Sequence, residues 1–232
     1  LDLRVDIAGE VLVLMPERVA AWPGGATLLV ADAHFGKAAS FRAAGIPVPS
    51  GTTGDDLARL DAALARADVR RIVFLGDFLH SRQGRAPATL AAIARWRDAH
   101  RDIDMVVVRG NHDRHAGDPP PDLGIRSVAE PLAEGPFLLC HHPEPRPGGY
   151  VLAGHLHPAI RLNGSARQSL RLACFHFTPA VGVLPAFGGF TGRALTRPGR
   201  NDQVYVVAGE AVVEVPSRPA SVRRTVGAGA RG

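Results

Sequence analysis

Apolar runs of strand length recur along the whole chain: Glu10–Met15, Thr27–Ala31, Arg71–Leu75, Asp104–Val108, Pro136–Cys140, Tyr150–Ala153, Leu170–Phe175, Ala180–Leu184, Gln203–Val207 and Ala211–Val215. They are rich in Val, Leu and Ile with little polar alternation, the pattern of strands buried on both faces. Two stretches have helical spacing instead. Asp55–Ala67 carries Leu57, Leu60, Leu64 and Ala67 three or four residues apart, with Asp55 or Thr53 as the expected cap. Pro87–Ala99 carries Leu90, Ile93, Ala94 and Arg97 on one side, and Pro87 suits a first-turn position. The first half therefore alternates strand and helix, while the second half is mostly strands and loops. That order predicts an α/β fold of two packed sheets with helices outside. There is no internal repeat. Asp118–Pro121 reads as a stiff loop, and Ser217–Gly232, rich in Arg, Gly, Ala and Pro, as a poorly ordered tail. One domain over residues 1–216 is expected.

The length of 232 residues suits this reading, since such a chain buries roughly 70% of its unfolded surface. With 46% hydrophobic and 21% charged residues, wholesale disorder and a disulfide miniprotein are excluded. No window approaches a membrane span. The first residues flank a short apolar run with charges on both sides, so they do not read as a signal peptide. The net charge of +5 comes almost wholly from arginine, Lys37 being the single lysine. Coding bias explains this better than affinity for phosphate does, because no Arg-rich block occurs beyond short pairs such as Arg223-Arg224 in the tail. Cys140 and Cys174 lie in apolar runs and read as small core residues of a reducing, cytoplasmic setting.

Histidine carries the sharper signal. Of ten, only His100 and His176 lie outside five short patches that follow apolar runs. Asp32 and His34 end the first, Asp77 the second and Asn111, His112 and Asp113 the third. His141 ends the fourth, and His155 and His157 the fifth. In extended backbone, residues two apart point the same way, so the Asp-x-His and His-x-His pairs are each expected to reach a single point. Side-by-side strands would bring all five ends together, where ligands of sheet proteins generally sit. Asp, His and Asn without thiolate suit Mn, Fe, Zn or Co. Seven candidate ligands, Asp32, His34, Asp77, Asn111, His141, His155 and His157, exceed the needs of one ion and argue for two. Two such ions, about 3.5–4 Å apart, need a bridging carboxylate and clamp phosphoryl oxygens. Asp77, flanked by Gly76, is the natural bridge.

The patches resemble the calcineurin-like metallophosphoesterase superfamily, whose pattern is Asp-x-His, Gly-Asp, Gly-Asn-His-(Asp/Glu), a strand-end His and Gly-His-x-His. A closer resemblance, carried by ADAHFGKAASFRAAGIPVPSGTT, LGDFLHSR, VRGNHDRHAGDPP, GYVLAGHLHPA and LPAFGGFTG, is to the bacterial ligase-associated DNA damage response endonucleases. It implies a four-layer α/β/β/α sandwich of two mixed sheets and a two-metal phosphodiesterase, with Mn²⁺ the first expectation. One ion would sit on Asp32, His34, Asp77 and His157, the other on Asp77, Asn111, His141 and His155. His112 would be the catalytic histidine, steadied by Asp113. Two histidines compete for one role in Cys140-His141-His142, and His141 is preferred because it follows the apolar run directly.

The resemblance further implies single-stranded or damaged DNA as substrate. It also implies association with an ATP-dependent DNA ligase, a helicase and an exonuclease in repair, and no membrane partner. His80, Arg82, Arg109, Arg114 and His115 flank the patches as candidate phosphate contacts, a solvated surface role being the plain alternative. Phe187 and Phe190 would form a base-stacking loop or, equally, core aromatics on a glycine turn. A general phosphatase or cyclic-nucleotide phosphodiesterase would use the same metal pair. A scaffold with a relic site would lack ligands or the catalytic histidine, and here every position is filled.

Overall fold

The structure, a computed structural model, describes residues 1–49, 51–163 and 169–216; the tail from Ser217 lies outside the described residues. The first sheet runs in sequence order: β1 (Leu3–Ile7), β2 (Glu10–Met15), β3 (Val19–Trp22), β4 (Thr27–Val30), β5 (Arg71–Phe74), β6 (Asp104–Val108) and β7 (Arg126–Val128). Its first three pairings are antiparallel and β4 through β7 are parallel, with Val30 opposite Phe74 and Phe74 opposite Val107. The parallel steps are bridged by α1 (Lys37–Ala43), α2 (Thr52–Leu64), α3 (Pro87–Ala99) and α4 (Asn111–Ala116). The chain then builds β8 (Leu132–Glu134), β9 (Phe137–Leu139), β10 (Tyr150–Ala153), β11 (Pro158–Asn163), β12 (Ser169–Phe177), β13 (Val181–Val183), β14 (Ala194–Leu195), β15 (Gln203–Ala208) and β16 (Ala211–Val215). These form the second sheet in the order β14-β11-β12-β13-β10-β9-β8, with β15 also paired to β12 and β16 to β15. Within it β9, β10 and β13 are parallel.

The continuous apolar runs of β4 to β6 follow from burial on both faces. Leu28, Val30, Ile72, Phe74, Met105 and Val107 pack under Leu57 and Leu60 of α2 and Ile93 and Trp96 of α3. Their alternating neighbours Leu29, Ala31, Val73, Leu75, Val106 and Val108 face Phe137, Leu139, Leu152, Phe175 and Phe177 of the second sheet. Each such side chain contributes about 1.5–3 kcal/mol by leaving water, and the two layers lock the sheets in register. The two-sheet sandwich expected from the sequence is therefore what the chain forms. Its helices lie on the first-sheet side, and among the described residues no α-helix follows Ala116. Cys140 and Cys174 are free and fully buried. Among the described residues no helix is long and apolar enough to cross a membrane.

Two local expectations need correction. α2 begins at Thr52 behind a left-handed Gly51 with no side-chain cap, so neither Thr53 nor Asp55 serves as one. The buried face of α3 is Thr89, Ile93 and Trp96 rather than the Leu90 and Arg97 side. Trp96 brings more apolar area than either and donates its indole N–H to Asp61.

Candidate metal centre

The five polar patches follow the carboxyl ends of β4, β5, β6, β9 and β10, and they converge. The backbone that delivers them is not extended, as the two-apart spacing suggested. Asp32, His34, Asp77, His155 and His157 have φ of 51°, 47°, 53°, 72° and 48°, all left-handed. For a residue with a Cβ that conformation costs roughly 1–2 kcal/mol, so surrounding bonds must hold it. They do. His34 N–H donates to the Asp77 carbonyl at 2.8 Å. The Asp32 carboxylate accepts the His155 N–H at 2.8 and 3.0 Å. The Asp77 Oδ1 accepts the His112 N–H at 2.9 Å. Two glycines clear the space. A Cβ on Gly76 would lie 2.5 Å from His141 Cγ, and one on Gly110 would lie 2.8 Å from the Asp77 nitrogen. Strain of this kind gathers where geometry serves function.

The donor atoms meet in two overlapping groups. In one, His157 Nε2 lies 3.4 Å from both His34 Nε2 and Asp32 Oδ1, and His34 Nε2 lies 3.7 Å from Asp77 Oδ2. In the other, His141 Nε2 lies 2.9 Å from Asn111 Oδ1, 3.0 Å from His155 Nδ1 and 3.6 Å from Asp77 Oδ1. Asp77 belongs to both. Asp32 also comes within 3.8 Å of His141 Nδ1.

The tautomers show what this arrangement can hold. His141 Nδ1 donates to the Leu75 carbonyl at 3.0 Å, and His157 Nδ1 to the Gly192 carbonyl at 3.2 Å. With Nδ1 holding the proton of each neutral ring, the Nε2 lone pairs turn toward the oxygens and nitrogens just described. Backbone acceptors on the far nitrogen are the usual partners of metal-bound histidines. The Asp32 and Asp77 side chains are almost fully buried, and among the described residues neither pairs with an arginine or lysine. Unpaired buried carboxylates are costly. Lone pairs converging from N and O donors without thiolate fit divalent cations of the Mn–Zn row. His34–Asp32–His157 and Asp32–Asp77–His141 are each close enough to hold one.

Burial drives the titration of the centre toward neutral forms. It lowers His34, with Lys37 adding to the effect, and lowers His141 and His155. Burial and the charge of Asp32 raise Asp77. Asp113 is pushed up to about 6 and His80 down to about 4, again chiefly by burial.

His112 stands at the rim, its ring 4.9 Å from His34 and stacked 5.0 Å from His80. Its Nδ1 donates to the His80 carbonyl at 2.8 Å, so Asp113 does not steady the imidazole. Asp113 is instead a buried backbone clamp. Its carboxylate accepts the N–H groups of Asp77, Phe78 and Gly110 at 2.7–2.9 Å. His141 lies at the heart of the donor cluster; His142, bound through Nδ1 to Glu130 at 2.8 Å, also stands close enough to His141 and His155 to form a group able to hold a cation. His80 lies against the centre, its Nδ1 3.3 Å from that of His34.

The other candidate phosphate contacts supply no atom to the donor groups. Arg109 is engaged in both directions of its fork by Asp118, Arg82 donates to the His115 carbonyl, and Arg114 is exposed on α4. Phe187 is buried under the Arg59 guanidinium, whereas Phe190 is exposed.

Sequence reasoning missed Glu130, which accepts the His141 and His142 N–H groups at 2.8 and 3.0 Å. It also passed over Lys37, half-buried near Asp77 and Asp32. Its standing as the single lysine of the chain, three residues after His34, was the available signal.

The chain is similar to the crystal structure of Pseudomonas putida nuclease MPE. The two are 42% identical, with a TM-score of 0.82, over 93% of this chain and 100% of that one. The Aquifex aeolicus protein of unknown function AQ665 is 17% identical, with a TM-score of 0.37, over 56% of this chain and 78% of that one. No protein-family model and no curated protein matches.

Proposed function

The chain belongs to the family of the Pseudomonas putida nuclease MPE, and from that premise we propose that it is a two-metal phosphodiesterase of the calcineurin-like kind, cleaving DNA internally. The observation that carries the proposal is the convergence of Asp32, His34, Asp77, Asn111, His141, His155 and His157 on overlapping donor groups that share Asp77. One cation would be held by Asp32, His34, Asp77 and His157, and the other by Asp77, Asn111, His141 and His155. Mn²⁺ is the first choice and Fe, Zn or Co the alternatives. When bound, the pair supplies positive charge against the anionic diester and lowers the pKa of water towards neutrality.

The protein's own groups supply the remainder. In the hydrolysis, water oxygen bonds to phosphorus and the bond to the leaving sugar oxygen breaks. That oxygen must take up a proton, and histidine titrates in the range that makes it a proton donor near neutral pH. His112 has this role. The His80 carbonyl fixes its Nδ1 and leaves Nε2 to carry the transferred proton. Asp113 acts at one remove, by holding the 77–79 backbone and Gly110 so that Asp77 keeps its left-handed geometry. His80, Arg82 and Arg114 are the proposed contacts to flanking phosphates. The setting in bacterial repair, on single-stranded or damaged DNA beside a ligase, helicase and exonuclease, follows from the sequence resemblance.

The test is hydrolysis by the full chain after chelation and reloading with Mn²⁺. The substrates are circular single-stranded DNA, bis-p-nitrophenyl phosphate and p-nitrophenyl phosphate. Linearisation of the circle, restored only by metal, is expected. Preference for the monoester with an intact circle would favour a phosphatase and overturn the proposal.

A further inference from the structure

Phe190 stands exposed beside the centre, and a row of rings leads from it to the donor cluster. Phe190 is 39% exposed. Its ring meets Phe41 of α1 edge to face, with centroids 5.5 Å apart. Phe41 lies 6.2 Å from His80 at an interplanar angle of 34°. His80 in turn stacks on His112, 5.0 Å away at 23°. Four π-systems thus run from the surface to the proton donor proposed above.

The loop that carries Phe190 is tied to the centre's own backbone. Phe187 N–H donates to the Ala31 carbonyl at 2.8 Å and Gly188 N–H to the Asp32 carbonyl at 3.1 Å. Gly189 N–H donates to the buried Asp56 carboxylate at 2.9 Å. Arg59 bonds both Asp56 and the Phe187 carbonyl while covering the Phe187 ring. A part-buried ion pair and three backbone N–H bonds therefore fix an apolar ring at a set offset from Asp32. A hydrophobic anchor alone would have been buried; here the backbone is fixed and the ring is left open. The only lysine, Lys37, lines the same recess as Phe190 and His34, so a cation stands beside the rings. An aromatic face next to a positive charge matches a nucleobase and its phosphate.

We propose that Phe190 and Phe41, with His80 behind them, form a stacking face whose two phenylalanine rings take the nucleobase next to the scissile phosphate. The inference rests on the nuclease reading and narrows it. Bases paired in a duplex are stacked on their neighbours and cannot lie on this face, so the site selects strands whose bases are free. Phe190 and Phe41 are substrate-positioning residues and take no part in the bond changes.

The experiment compares Mn²⁺-loaded full-length wild type with Phe190→Ala, Phe190→Leu, Phe190→Trp and Phe41→Ala. The substrates are an all-thymidine oligonucleotide, an abasic tetrahydrofuran strand of equal length and bis-p-nitrophenyl phosphate. Loss of one stacked base predicts a fall in kcat/KM of roughly 5- to 150-fold on the thymidine strand for the Ala and Leu variants. Phe190→Trp keeps most of the activity, and the abasic strand, already poor for wild type, is cut equally by all. Leucine retains apolar volume without a π face, so it separates stacking from packing. Equal losses on both strands, no loss on thymidine, or a wild type indifferent to the missing bases would each overturn the stacking face. A wild type that hydrolyses bis-p-nitrophenyl phosphate but neither strand would instead overturn the nuclease reading beneath it, and the stacking face with it.

Discussion

Replacing Gly76 by alanine tests the link between backbone and metal most sharply. Gly76 has φ of +81°, and an added Cβ would lie 2.5 Å from His141 Cγ and 2.8 Å from His141 Cβ, closer still to Nδ1. The left-handed backbone costs roughly 1–2 kcal/mol for a residue with a side chain. Overpacking a rigid site adds about 1–3 kcal/mol. A total near 3 kcal/mol corresponds to a fall in Tm of about 6–12 °C for a domain of this size. The functional effect should be larger than the stability effect. To restore ordinary van der Waals contact the imidazole must retreat by about 1 Å, whereas metal–ligand distances tolerate about 0.2 Å.

The expected outcome is a loss of Mn²⁺ affinity of about 10-fold or more by isothermal titration, with hydrolysis of bis-p-nitrophenyl phosphate falling in step. Gly45→Ala is the control, because its φ is +78° with nothing within 4 Å of the added Cβ. It should lose only the roughly 1–2 kcal/mol of backbone strain and bind metal normally. If Gly76→Ala matched Gly45→Ala in metal affinity and turnover, the claim that His141 is held in place as a ligand by the missing Cβ would be wrong.

Three further outcomes follow from the same geometry. Asp113→Asn places an amide donor among backbone donors, so it should cost about 1–3 kcal/mol in denaturant unfolding and weaken Mn²⁺ binding through Asp77; unchanged stability would contradict the clamp. Glu130→Ala leaves the His141 and His142 N–H groups without their carboxylate, and a Tm lowered together with reduced metal affinity is expected, whereas an effect on neither would remove Glu130 from the account. Cys140 and Cys174 are wholly buried, with thiols pushed up by burial to about 11 and about 12. Ellman's reagent should find no thiol in the native protein and both in guanidinium, and rapid native labelling would contradict their burial.

The parts of the molecule that could be read from the sequence are those where one local rule decides. The runs of β4, β5 and β6 are apolar without alternation because helices cover one face and the second sheet the other, and that signature survives in the sequence unaltered. β1 hid because Arg4 and Asp6 face water between Val5 and Ile7, leaving no run to find. α4 is only six residues long, too short for a helical period to show in the sequence. The identity of the donors was legible from residue type and position after strands. The way they converge was not, since left-handed backbone at Asp32, His34, Asp77, His155 and His157 is held by partners far away in the chain. Glu130 and Asp113 illustrate the same limit: each acts on backbone N–H groups, which leave no mark on the sequence of the partner.

The central claim is a pair of cations sharing Asp77. Anomalous diffraction at the manganese edge from crystals grown with Mn²⁺ would test it directly. Two peaks are expected, about 3.5–4 Å apart. One should lie on Asp32, His34 and His157, the other on Asn111, His141 and His155, and the Asp77 carboxylate should touch both. A single peak, or metal bound away from these side chains, would contradict it.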